Sequence, residues 1–132
     1  MPEKNATKDK GKKQTILLVE DDQFISRAYR DGLSKAGFEI IPAFNGNEAE
    51  KKLKTLRPAI ILLDIIMPDK DGFEFLTEIK ADPKIKDIPV LMLSNLSHEK
   101  IFAKATKLGA CGYLVKSDQG IEGVVSEIRK YI

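Results

Sequence analysis

The chain has 132 residues, 42% of them apolar and 32% charged, a length and balance suited to one soluble domain with a single continuous core. No apolar run approaches the roughly 18 residues that a membrane helix requires, and no secretory h-region is present, so a cytoplasmic protein without a membrane span is expected. The net charge of +2 is concentrated in residues 1–13, which carry five lysines against two acids and leave the remainder at −1; direct nucleic-acid binding by a broad basic face is therefore not expected.

In chain order, residues 1–13 read as a disordered Lys-rich tail and residues 14–132 as the folded domain. Short runs rich in Ile, Leu and Val then alternate with amphipathic stretches, the pattern of repeated β-α units. The predicted strands are Thr15 to Val19, Phe38 to Pro42, Ala59 to Leu63, Pro89 to Leu93 and Cys111 to Val115. The first, third and fourth lack polar alternation, as central parallel strands do. The first helix places Ile25, Ala28, Tyr29, Gly32, Leu33 and Ala36 on one apolar face, and the last, from Asp118 to Tyr131, does so with Ile121, Val124, Val125 and Ile128. Asn45 with Glu48 and Asp71 with Glu74 have the spacing of N-caps with an acid at the third helical position. Gly37 and Gly109 suit left-handed helix ends, and Pro58 and Pro83 are expected to stop the second and third helices. Cys111 reads as a small core residue. Right-handed crossovers then give an α/β fold with a five-stranded parallel sheet in the flavodoxin-like order 2-1-3-4-5 and helices on both faces.

Ligands of such sheets bind beyond the carboxyl ends of the strands, so the residues that follow each strand carry the information. Strand one runs into Glu20, Asp21 and Asp22, strand three into Asp64, strand four into Ser94 and strand five into Lys116. Each alone is an ordinary turn former or cap, but four neighbouring strand ends with polar groups point to a site. Two like charges about 4 Å apart repel by about 4 kcal/mol at an effective dielectric of 20. One lysine cannot neutralise Glu20, Asp21 and Asp64, so a hard divalent cation such as Mg²⁺, or alternatively Mn²⁺, is expected there. The sole histidine, His98, falls at the start of the fourth helix as a solvated residue, which disfavours zinc.

The segments ILLVEDD (16–22), IILLDIIMPDKDG (60–72), VLMLSN (90–95) and GYLVK (112–116) closely resemble the receiver domains of response regulators, the CheY-like superfamily of two-component signalling. The resemblance implies that Asp64 accepts a phosphoryl group from a phosphohistidine on a sensor histidine kinase or histidine phosphotransfer protein. It implies Glu20, Asp21, Asp64 and the backbone carbonyl of Ile66 as ligands of Mg²⁺, and Asp22 as the N-terminal residue of the first helix. Lys116 is implied as the phosphate-pairing cation, Ser94 as the switch hydroxyl and Tyr113 as the switch aromatic. The reporting surface would be α4-β5-α5, facing an unspecified downstream protein or, through a phosphorylation-dependent homodimer, a second copy. Such a domain is a signalling module that catalyses only its own phosphorylation and dephosphorylation.

Three positions depart from the family pattern. Ser117 stands where a proline usually follows the lysine, Asn95 where a small residue usually follows the switch hydroxyl, and apolar Ile66 lies two residues beyond Asp64. A cis bond before a non-proline residue costs about 3 to 4 kcal/mol, so the Lys116-Ser117 bond is expected to be trans. Ile66 also argues against a haloacid dehalogenase-type phosphatase, which places a second Asp there as general acid. A pseudo-receiver that uses the fold without phosphorylation is disfavoured by the complete set of site residues.

Overall fold

In a computed structural model that describes residues 13–132, five parallel strands form one sheet in the order β2-β1-β3-β4-β5. The strands are β1 (Thr15–Val19), β2 (Glu39–Ala43), β3 (Ile60–Leu63), β4 (Val90–Ser94) and β5 (Gly112–Val115). The helices are α1 (Gln23–Lys35), α2 (Gly46–Leu53), α3 (Gly72–Ala81), α4 (Glu99–Lys107) and α5 (Ile121–Ile128). The predicted tail lies, but for Lys13, outside the described residues. Among these residues no helix is long and apolar enough to cross a membrane.

The unbroken apolar runs of β3 and β4 are buried along their whole length, as is β1 after its first residue, because helices cover both faces. Alternate residues feed two cores. Leu17, Val19, Ile61 and Leu63 pack with Ala49, Leu53, Phe75, Leu76 and Ile79 of α2 and α3, and with Ala105 of α4. Ile16, Leu18, Ile60 and Leu62 pack with Tyr29 and Leu33 of α1 and Val124 and Ile128 of α5. Pro42, which cannot donate to a ladder, sits in the outer strand β2, which among the described residues pairs with β1 alone.

Caps fix the helix starts. Asp22 accepts from the N–H groups of Phe24 and Ile25, Asn45 from that of Glu48, and Asp71 and Glu74 complete a reciprocal capping box. Gly37 and Gly109 have φ of 104° and 105°, the left-handed helix ends expected of them. Asp82 is extended directly before Pro83, so α3 ends where the proline demands.

Several boundaries differ from the sequence reading. β2 and β4 lie one residue further along than predicted, and β3 and β5 begin one residue later. Pro58 does not stop α2, which ends at Leu53 where the N–H groups of Lys54 and Thr55 tighten to carbonyls three residues back. α5 is shorter than the predicted 118–131: Lys116–Asp118 form a separate 3₁₀ turn, Gln119 is extended, and the helix starts after Gly120. On α1, Ala28 is exposed and Ser26 is buried in its stead.

Candidate functional site at the strand ends

The parallel register sets Val19 of β1 beside Leu63 of β3, so the next residues, Glu20 and Asp64, emerge side by side. Backbone bonds hold both: Asp64 N–H donates to the Val19 carbonyl and Glu20 N–H to that of Ala43, each at 3.0 Å. One carboxylate oxygen from each of Glu20, Asp21 and Asp64 lies within 4.8 Å of the others. Glu20 and Asp64 are buried and Asp21 is exposed at the mouth.

Lys116, the first residue after β5, reaches back across the sheet end. Its Nζ donates to Glu20 Oε1 at 2.5 Å and to Asp64 Oδ2 at 3.0 Å. The remaining oxygens are also engaged: Asp64 Oδ1 accepts from Ile65 N–H at 2.7 Å and Glu20 Oε2 from Asp22 N–H at 3.1 Å. Burial pushes the Glu20 carboxyl above its usual range, against the opposing bonds from Lys116 and the Asp22 N–H. Burial acts to lower Lys116, but its bonds to Glu20 and Asp64 outweigh it and hold the ammonium above the ordinary lysine range. The cluster therefore remains short of positive charge, and its donors are all oxygen. A hard divalent cation fits that set; a soft metal does not.

The loop after β3 is shaped by Asp69 and Gly72. Asp69 has φ of 69°, and Lys70 N–H closes a γ-turn on the Pro68 carbonyl at 2.8 Å. Gly72 lies against the backbone of Asp64 and Ile65, where any Cβ would collide. Its N–H donates to the Ile65 carbonyl at 2.7 Å, tying the start of α3 to the strand end that bears Asp64. The Ile66 side chain stands at the rim, 62% exposed.

Ser94, the last residue of β4, is buried, and its Oγ accepts from Leu96 N–H at 3.4 Å. Tyr113 is not free: its hydroxyl donates to the Leu96 carbonyl at 2.6 Å, and its ring meets Phe102 of α4 edge-on with centroids 4.7 Å apart. The sequence reading named Tyr113 but missed both partners. It also missed a bond between the two departures from pattern, Asn95 Oδ1 accepting from Ser117 N–H at 2.9 Å. The Lys116-Ser117 bond is trans, as expected, like every peptide bond among the described residues.

Two residues stand apart from the site. His98 is exposed and caps α4 through Nδ1. Cys111 is half-buried against the α1/α5 core, and burial raises its thiol to about 11, so it is a poor nucleophile or ligand.

Residues 16–124 match the response regulator receiver domain family. The chain is 36% identical over 106 residues to the chemotaxis protein CheY of Thermotoga maritima, covering 79% of this chain and 86% of that one. It spans under half the length of several other curated relatives that it matches. Among solved structures, chemotaxis protein CheY4 of Vibrio cholerae superimposes with a TM-score of 0.85 at 28% identity, covering 91% of this chain and 99% of that one. The Mn²⁺-bound form of response regulator Rcp1 gives 0.75 at 32% identity, covering 89% and 90%.

Proposed function

We propose a phosphoryl-acceptor cycle at Asp64 for this chain, which belongs to the family of response regulator receiver domains and is a module of two-component signalling. The observation that carries the assignment is the convergence of Glu20, Asp21 and Asp64 within 4.8 Å at the strand ends, with Lys116 donating to two of them. Membership of the family implies a histidine kinase as partner. Exchange with such a kinase, directly or through a phosphotransfer protein, would take place in the cytoplasm, the location we infer for the chain.

In the proposed step an oxygen of the Asp64 carboxylate forms a bond to phosphorus as the phosphorus–nitrogen bond of the phosphohistidine breaks. The electron pair leaves with the imidazole nitrogen, and the product is an aspartyl phosphate. Glu20, Asp21, Asp64 and the Ile66 carbonyl would hold Mg²⁺, with Mn²⁺ as a substitute. When bound, that ion supplies charge neutralisation for the carboxylates and the incoming phosphoryl oxygens. Lys116 then exchanges its carboxylate partners for a phosphoryl oxygen, and the Ser94 hydroxyl donates to another. Because the Ser94 hydroxyl accepts from Leu96 N–H, and Tyr113 donates to the Leu96 carbonyl, movement of Ser94 would pass to Tyr113 and Phe102 on the α4-β5-α5 face. That face is where we place the downstream partner or a second copy of the chain.

The test is incubation with acetyl phosphate. A Mg²⁺-dependent mass gain of one phosphoryl group, absent in Asp64→Ala, supports the reading; unmodified wild-type protein refutes it.

A further inference from the structure

We propose that Asn95 is a positioning residue for Lys116, acting through the backbone N–H of Ser117. Ser94 and Val115 are paired at the ends of β4 and β5. The chain then leaves the sheet on both sides, and the two departing loops are joined by the 2.9 Å bond from Ser117 N–H to Asn95 Oδ1.

The loop that carries Lys116 has little else to hold it. The 3₁₀ turn Lys116–Asp118 has no side-chain N-cap of its own, and one long bond closes it, from Gln119 N–H to the Lys116 carbonyl at 3.3 Å. The Ser117 N–H lies in the first turn, where no carbonyl of the same turn can accept it. Asn95 supplies the missing acceptor from the neighbouring strand end. On the side facing α1, the turn borders a cavity of about 390 Å³ lined by Tyr29, Asn95, Lys116, Ser117, Gln119 and Ile121. Packing does not back the turn there, so the Asn95 bond fixes where Lys116 departs from β5. From that point the lysine side chain reaches Glu20 and Asp64.

The bond also couples the two groups proposed to meet the phosphoryl oxygens. Asn95 follows Ser94 and Ser117 follows Lys116, so the bond ties the backbone beside the hydroxyl to the backbone beside the ammonium. Only a residue with an N–H at position 117 can be held in this way, since proline has no donor.

This inference rests on the phosphoacceptor reading of Asp64, and its test keeps the two separable. The 132-residue chain is phosphorylated with acetyl phosphate across a Mg²⁺ titration, and the rate of acyl-phosphate formation is followed. Asn95→Ala, an exposed substitution, is expected to lower the maximal rate about three- to ten-fold, the worth of one hydrogen bond. The half-saturating Mg²⁺ should not rise, because the carboxylates are untouched. The same Asn95→Ala loss should persist in a Ser117→Ala background, which keeps the N–H. It should vanish in a Ser117→Pro background, whatever the rate of that variant itself. Should Ser117→Pro fail to fold, amide exchange decides: the Ser117 N–H must lose protection in Asn95→Ala. A wild-type rate in Asn95→Ala overturns the inference, as does an equal loss in all backgrounds, a loss explained by weaker Mg²⁺ binding, or unchanged Ser117 protection. Failure of the wild-type chain to be labelled at Asp64 sinks the phosphoacceptor reading instead.

Discussion

Two lysines of this chain are each held between two carboxylates, with opposite consequences. Lys70 bridges Glu78 at 2.6 Å and Glu50 at 3.7 Å and ties α2 to α3; its side chain is 19% exposed and those of its partners 51% and 56%. Lys116 bridges Glu20 and Asp64, and the three side chains are 10%, 3% and 8% exposed. Around Lys70 the half-exposed glutamates stay hydrated, and the bridges contribute little beyond the contact of the Lys70 ammonium with the Phe75 ring at 5.6 Å. At the strand ends the same charges are desolvated, Asp21 adds a third acid, and the sum stays negative. A surface bridge is complete as it stands. The buried one keeps a net negative charge away from water, and such a cluster suits a divalent cation.

The largest effect expected from breaking this contrast is in Lys116→Met. It leaves Glu20 and Asp64 facing one another in a buried setting, and urea unfolding in metal-free buffer at pH 7 should show a loss of about 3 kcal/mol. Saturating Mg²⁺ should return most of it. A loss under about 1 kcal/mol would place Lys116 in the same class as Lys70.

A smaller effect sharpens the account of the site's rim. Ile66 and Leu96 are apolar and cannot orient a water toward an acyl phosphate on Asp64, so slow autodephosphorylation is expected. Ile66→Asn combined with Leu96→Glu should speed decay on the order of ten-fold, about 1.4 kcal/mol off the barrier. Decay is followed after removal of the donor at saturating Mg²⁺, and an unchanged rate would shift control of water access to another group.

Asp21→Ala removes one of three clustered acids. Thermal melts without metal should show unchanged stability or a gain of up to about 1 kcal/mol, while Mg²⁺-dependent phosphorylation is lost. A clear loss of metal-free stability would contradict mutual repulsion among the three. The smallest effect belongs to Lys70→Met, expected to cost less than about 1 kcal/mol in the same urea assay and to leave phosphorylation by acetyl phosphate intact.

Much of the fold was legible because it depends on local pattern. The runs ILLV, IILL and VLML fix the buried strands, and Asp71 with Glu74 announces the start of α3 without any knowledge of its neighbours. The approach of Glu20, Asp21, Asp64 and Lys116 was legible because parallel strands deliver their end residues to one edge. Contacts that depend on the tertiary path were not. The helical period on α1 marks Ala28 as apolar, but as packed the helix buries Ser26 and exposes Ala28. The partners of Tyr113 come from Leu96 and Phe102, whose positions follow from how α4 packs. The bond from Ser117 to Asn95 spans two loops, and only their joint departure from the family pattern hinted at it.

Asp64 in the buried bridge, and no other acid, is expected to carry the phosphoryl group. Borohydride reduces an aspartyl phosphate to homoserine, so reductive trapping after treatment with acetyl phosphate and Mg²⁺, followed by peptide mass mapping, reads the position directly. Reduction is expected at position 64 alone and not without Mg²⁺. Reduction at another acid, or none in fully folded protein, would contradict the assignment to Asp64.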